Sequence, residues 1–370
     1  MSGKATLSIC IPTYNRSDFV QDCVLRLLRS DLSERDLCIF VRDDCSTDDT
    51  YEAISSIEDS RLVVIRNQTN LGAAYNTHLC FLEAPSRFAY LTSDEDDLAL
   101  EKLQELACML ADEEEASVVL VGGDLRYSNK RFPETRITEP HDALMRYGFS
   151  TRYMTGIVFN VEKYKTHIGE VAYDMAPQYW DSYSFMYAMA KLFCFGHVIT
   201  KDGKWYQQNR LAPTSASNNA RSDGVCYYEP TGRLNQMHTW LSAIQTLPLP
   251  QADSEELSVK VIFDCAQLLN AIFEPNYARL ARLTASNAQY EAYCEKLSGV
   301  LKRDLCQNAL DEGVSRFLSY YGYEPVDSLY FSTQKLWDDM SSKLTEAMAI
   351  SKEVFQPVTL DELEDGFPSL

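Results

Sequence analysis

Four consecutive acidic side chains, Asp94, Glu95, Asp96 and Asp97, end an apolar run that begins at Arg87, and a helical pattern follows at once. Adjacent carboxylates repel one another unless a proton or a cation relieves them. Asp94 and Asp96 have D-x-D spacing, and Mg2+ or Mn2+ takes hard oxygen ligands of this kind. Asp96 is the main ligand candidate, Asp94 the second, and Asp97 the reserve. Alternation along an extended segment would turn Glu95 the other way. The competing reading is a solvated acidic helix start, where the macrodipole stabilises each charge by about 0.3–1 kcal/mol. The two readings differ in whether other polar groups must meet at the same place.

Strands decide that. Short β-rich runs at 7–12, 37–44, 62–67, 87–94 and 117–124 alternate with helical patterns over the first 125 residues. Val, Ile, Leu and Phe crowd these runs without strict alternation, as in parallel strands covered on both faces. Ser46 or Thr47 is placed to cap the second helix, with Asp48 and Asp49 complementing its dipole. Strand–helix alternation implies an α/β sheet with right-handed crossovers. Ligands gather at the carboxyl ends of such strands. Here four ends are polar: Pro12–Arg16, Arg42–Asp49, Asn67–Asn76 and the acidic cluster. Together they imply one pocket.

The combination resembles glycosyltransferase family 2, over about residues 6–200 and most strongly over 6–100. "SICIPTYNR" looks like the family's first strand and loop, and "VRDDCSTDDT" is similar to its V-D-D-x-S-x-D-x-T element. "NLGAAYN" resembles its N-x-G-x-x-x-x-N segment, and "LTSDEDDL" stands where the family has D-x-D. The resemblance implies a GT-A, Rossmann-like fold, a mostly parallel sheet flanked by helices, and beyond it the residue pattern itself reads as a mainly helical C-terminal region. The expected domains are a catalytic one at 1–232, with a nucleotide-binding half to 125 and an acceptor half from 126, and a helical region, read from the pattern alone, at 233–370.

It also implies an activity: metal-dependent, inverting sugar transfer from a nucleotide-diphosphate donor to a hydroxyl acceptor in surface polysaccharide or lipopolysaccharide assembly. Pro12, Thr13, Tyr14 and Arg16 would line the nucleotide pocket, with the tyrosine ring on the base. Asp43 or Asp44 would accept from base or ribose; the motif leaves both open. Asn70 and Gly72 would let backbone approach the ligand, Asn76 would hold it one turn later, and Asp94 would meet the ribose or the metal. The family's basic residue after the glycine is replaced here by Ala73 and Ala74. A base is needed to take the acceptor's proton. Asp181, at a helix start amid aromatics, is the first candidate and Asp174 the second. His238 is a further candidate metal ligand, and Arg210 and Arg221 flank a polar loop from which they could reach diphosphate oxygens.

Composition narrows the alternatives. A formal net charge of −20 disfavours nucleic acid or an anionic membrane as an electrostatic partner. Eleven scattered cysteines without a C-x-x-C pair fit free thiols in a reducing compartment. With no signal-peptide core near the N-terminus, the expectation is a cytoplasmic protein, peripheral to the membrane where its acceptor is lipid-linked. Amphipathic C-terminal helices suit capping, acceptor binding or a homo-oligomer interface. A nucleotidyltransferase would open on a Gly-rich loop, which "PTYNRSD" is not. A binding or scaffold subunit that keeps the fold without turnover is the non-enzymatic alternative.

Overall fold

The computed structural model describes residues 5–124, 128–149, 153–169 and 184–208, together with 236, 239–254, 256–258, 260–261 and 355–357. The first elements are β1 (Leu7–Thr13), α1 (Ser17–Leu27), β2 (Leu37–Asp43), α2 (Thr50–Ser55), β3 (Leu62–Arg66), α3 (Ala73–Glu83) and β4 (Phe88–Leu91). After them come β5 (Asp97–Leu98), α4 (Leu100–Ala111), β6 (Ala116–Val121), β7 (Gly123–Asp124), β8 (Ser128–Lys130) and β9 (Thr135–Ile137). The rest are α5 (Pro140–Tyr147), β10 (Ile157–Asn160), α6 (Val161–His167), α7 (Ser184–Phe193), β11 (His197–Lys201), β12 (Tyr206–Gln207) and β13 (Phe355–Pro357).

Strand β1 shows why the apolar runs do not alternate with polar residues. Leu7, Ile9 and Ile11 pack with Val20, Cys23, Val24 and Leu27 of α1 and with Leu103, Leu106 and Leu110 of α4. On the other face, Ser8 donates to Ser86 at 2.7 Å and the Cys10 thiol meets the Cys80 carbonyl of α3 at 3.6 Å. Both faces are buried, so both must be apolar or internally satisfied.

The larger sheet has eight strands in the order β3-β2-β1-β4-β10-β6-β11-β9. The pairs β1–β2, β2–β3, β1–β4 and β6–β11 are parallel. Strand β10 runs antiparallel between β4 and β6, setting Ile157 opposite both Leu91 and Leu120. A second sheet of five short strands, β13-β8-β7-β12-β5, holds Asp97–Leu98 against Tyr206–Gln207. The sheet is thus mostly parallel and flanked by helices.

One local expectation changes. Helix α2 starts at Thr50, later than a Ser46 or Thr47 cap would give, and its Asp49 N-cap makes no side-chain capping bond. Asp48 instead accepts the Thr50 N–H at 3.0 Å. Ser46 is committed to Asp43 and the Asn15 N–H.

By internal contacts the chain falls into two compact units, residues 1–212 with 350–358, and 213–349 with 359–370. In the second, 239–244 and 251–254 are helical, with Trp240, Ala243 and Ile244 buried. Nearly all of the helical region expected beyond 233 lies outside the described residues. Among the described residues, no helix is long and apolar enough to cross a membrane.

The ring of Tyr206 lies in a cradle of two glycines. A Cβ on Gly123 would fall 2.4 Å from it and one on Gly156 2.6 Å from it; Gly156 also has φ +93°. Gly156→Ala should therefore cost about 1–3 kcal/mol. Gly72, at φ +85°, has nothing within 4 Å of an added Cβ. Gly72→Ala should cost less, and parallel urea denaturation of the two variants measures the difference.

Candidate functional site

Register brings the polar ends together. Thr13 at the end of β1 pairs with Asp43 at the end of β2, and Cys10 pairs with Leu91 at the end of β4. Beyond β4 the chain turns, with the Asp96 N–H donating to the Ser93 carbonyl at 3.3 Å. Because this segment is a turn, the alternation expected for an extended chain does not apply. Glu95 stays beside Asp94: the Arg16 Nε donates to both Asp94 oxygens, at 2.8 and 2.9 Å, while its Nη2 donates to Glu95 at 2.7 Å. Thr13 Oγ1 adds a second donor to Asp94 at 3.0 Å. Asp97 points elsewhere, to an ion pair with Arg26 of α1.

Asp96 differs from its three neighbours. They are paired with guanidinium groups, whereas the partners of Asp96 among the described residues are hydroxyls. Tyr153 Oη donates to Oδ1 and Oδ2 at 2.7 and 2.9 Å, and Thr155 Oγ1 donates to Oδ2. The side chain is only 1% exposed. Burial pushes its carboxyl up to about 7, against the pull of the two hydroxyls. Burial likewise raises Asp94, but only to about 6, because Arg16 and Thr13 favour its charged form. Tyr153 is itself held protonated by burial and by Asp96, and it stacks on Tyr206 at 6.0 Å.

The adjoining loops are tied internally. Asp44 accepts from the Leu71 N–H at 2.8 Å, the Gly72 N–H at 2.9 Å and Asn67 Nδ2 at 2.8 Å. Asn76 is buried, donating to the Arg42 carbonyl and accepting from Asn67. Asp43 is wholly buried, accepts from Ser46 and faces Arg66 Nε at 3.3 Å. Its carboxyl is raised by burial, in opposition to those partners. Asn70 and Gly72 are exposed, Pro12 is half-buried, and Tyr14 leaves 39% of its surface open, enough for a planar ring to stack on it.

Asp181, Asp174, His238, Arg210 and Arg221 lie outside the described residues. Tyr153, Thr155, Arg66 and Asn67 join the site without having been singled out in the sequence. No local pattern marks Tyr153 and Thr155: they reach Asp96 because β10, just after them, lies beside β4. Among the described residues no cluster of three or more His, Cys, Asp or Glu forms a ready metal cage. Asp96 still fits a divalent ion, since Mg2+-type sites use one or two carboxylates and take further oxygens from substrate phosphate.

Comparison with known proteins agrees with this architecture. Residues 8–170 match the family described as glycosyl transferase family 2. Over 92 residues the chain is 36% identical to the Escherichia coli UDP-Glc:alpha-D-GlcNAc-diphosphoundecaprenol beta-1,3-glucosyltransferase WfaP, covering 24% of this chain and 35% of that protein. It is 30% identical over 104 residues to the putative teichuronic acid biosynthesis glycosyltransferase TuaG of Bacillus subtilis, covering 28% and 40%. The chain thus spans well under half of either relative. The crystal structure of S. aureus TarS 1–349 with UDP-GlcNAc superposes with a TM-score of 0.55 at 16% identity, over 94% of this chain and 88% of that one. At that identity the likeness establishes the shared GT-A fold.

The raised Asp96 carboxyl has a sign that can be checked. The folded protein holds this proton more tightly than the unfolded chain, so ionisation opposes folding. Its effect is absent below about pH 4 and grows until pH passes about 7. In chelator, Asp96→Asn should gain stability over the native protein as pH rises through that window, then level off. Urea melts across pH test it, and a constant gap would contradict it.

Proposed function

We propose that this chain, whose residues 8–170 match glycosyl transferase family 2, is a glycosyltransferase that moves a sugar from a nucleotide-diphosphate donor to a hydroxyl acceptor with inversion. The observation that carries the reading is Asp96: a buried carboxylate at the strand ends, paired with hydroxyls and not with a cation. Asp96 would hold Mg2+ or Mn2+, with Asp94 on the same turn as the second oxygen donor or the ribose acceptor. The ion, when bound, supplies positive charge against the growing charge of the departing diphosphate.

The chain's own residues account for the remaining tasks. Tyr14, the exposed ring after β1, suits stacking on the base. Asp43 and the Asn70–Gly72 loop flank the same strand ends, and Asp44 holds that loop in place. For the transfer itself, a carboxylate takes the acceptor's O–H proton as that oxygen bonds to the sugar's anomeric carbon. The anomeric carbon–phosphate oxygen bond breaks, and the nucleoside diphosphate leaves from the opposite face. Asp181 is our base candidate and Asp174 the second, both on the family pattern. The described part of the following helix begins at Ser184.

The relatives' names give a GlcNAc-diphosphoundecaprenol acceptor and teichuronic acid biosynthesis, and TarS was crystallised with UDP-GlcNAc. We therefore favour a uridine-diphosphate sugar and a cell-surface polysaccharide or lipid-linked acceptor. We also propose a cytoplasmic setting, which the scattered cysteines, without a C-x-x-C pair, support.

The test is donor hydrolysis and transfer across the common nucleotide sugars, with Mn2+ and with chelator. Activity should need the ion and fall by about 100-fold or more in Asp96→Ala. Asp181→Asn should lose transfer while keeping nucleotide binding by thermal shift. Nucleotide binding without hydrolysis or transfer under any condition would indicate a non-enzymatic binding subunit instead.

A further inference from the structure

Arg16 occupies the place where a metal ion would be drawn to the acidic turn. Its Nε spans both oxygens of Asp94 at 2.8 and 2.9 Å, and Nη2 reaches Glu95 at 2.7 Å. Thr13 takes a further position on Asp94 Oδ2 at 3.0 Å. The arginine is itself held: its backbone N–H donates to Thr50 Oγ1 at 2.9 Å, and its guanidinium lies 4.5 Å from the centre of the Phe19 ring. The Arg16, Asp94 and Glu95 side chains are 17%, 4% and 19% exposed, so water screens these pairs weakly.

A divalent ion needs ligand oxygens at about 2.0–2.2 Å, and both oxygens of Asp94 already accept from the Arg16 Nε, with Thr13 Oγ1 as a second donor. To use Asp94 or Glu95, the ion must displace a guanidinium of like charge. Asp96 presents no such obstacle, because hydroxyl donors can reorient. We propose that Arg16 is a positioning residue that acts as a resident counter-ion, keeping Asp94 and Glu95 out of the metal's coordination. The free protein then offers the ion one carboxylate, Asp96, and binds it weakly. A nucleotide diphosphate supplies the missing charged oxygens, so the ion and the nucleotide bind together. Asp94, kept ionised and oriented by Arg16, remains available as a hydrogen-bond acceptor for the nucleotide. The inference rests on the reading above that Asp96 holds the ion.

The experiment titrates the full chain with Mn2+ alone, reading free Mn2+ by electron paramagnetic resonance, so turnover is not involved. Arg16→Gln should bind Mn2+ about tenfold more tightly than the native protein, since two carboxylates lose their cation. Adding Asp94→Asn and Glu95→Gln to Arg16→Gln should return the affinity to the native value. A folded Arg16→Gln protein, judged by circular dichroism, that binds Mn2+ no more tightly overturns the proposal. If that variant does not fold, Arg16→Lys keeps the charge without the two-pronged fork. It should bind about threefold more tightly, and no gain overturns the proposal equally. Asp96→Asn separates the two readings. If it leaves Mn2+ binding in the presence of uridine diphosphate unchanged, Asp96 is not the ligand, whatever Arg16 does.

Discussion

A carboxylate taken out of water must find a cation or a proton, or sit among dipoles that favour its charge. Three residues of the acidic turn find cations supplied by the fold: Arg16 for Asp94 and Glu95, and Arg26 for Asp97. The fourth, Asp96, is left with hydroxyls in a nearly closed space. The arrangement divides a run of like charges into a settled part and an unsettled one. The architecture around the turn serves to keep that division, because Arg26 of α1 and Arg16, the residue preceding that helix, both reach the turn while the sheet brings the hydroxyls from the other side.

Strand β10 makes the second half of this possible. By entering antiparallel between β4 and β6, it places the segment that precedes it over the end of β4. Thr155 then donates to Asp96 and also accepts the Ser93 N–H at 3.1 Å, clamping the start of the turn. Behind it Tyr206 stacks on Tyr153 and fills the room left by Gly123 and Gly156. The orientation of one carboxylate is thereby referred to three strands that are distant in sequence.

Much of this could be read from the amino-acid order. The first four strands and their helices announce themselves because burial on both faces demands unbroken apolar runs, such as the one containing Ile9, Cys10 and Ile11. The polar ends follow from topology once those strands are parallel. Tyr153 and Thr155 were not legible, since their role depends on a long-range antiparallel pairing that leaves no local periodicity. The turn at Ser93–Asp96 was misread as extended for a similar reason: its geometry is set by Arg16, nearly eighty residues earlier. Likewise Ser46, a plausible cap by type, is drawn instead to the buried Asp43, where an unmet carboxylate outweighs a helix end.

The bonds of Asp44 reach further than the loop they close. Since its carboxylate gathers the Leu71 and Gly72 amides, with Asn67 joining it to Asn76 and Arg42, the segment is braced by the protein's own bonds. Association then spends little conformational entropy on that segment. For the nucleotide donor proposed above, affinity is then left to respond to shape and charge, and selectivity becomes a matter of fit to a stiff surface.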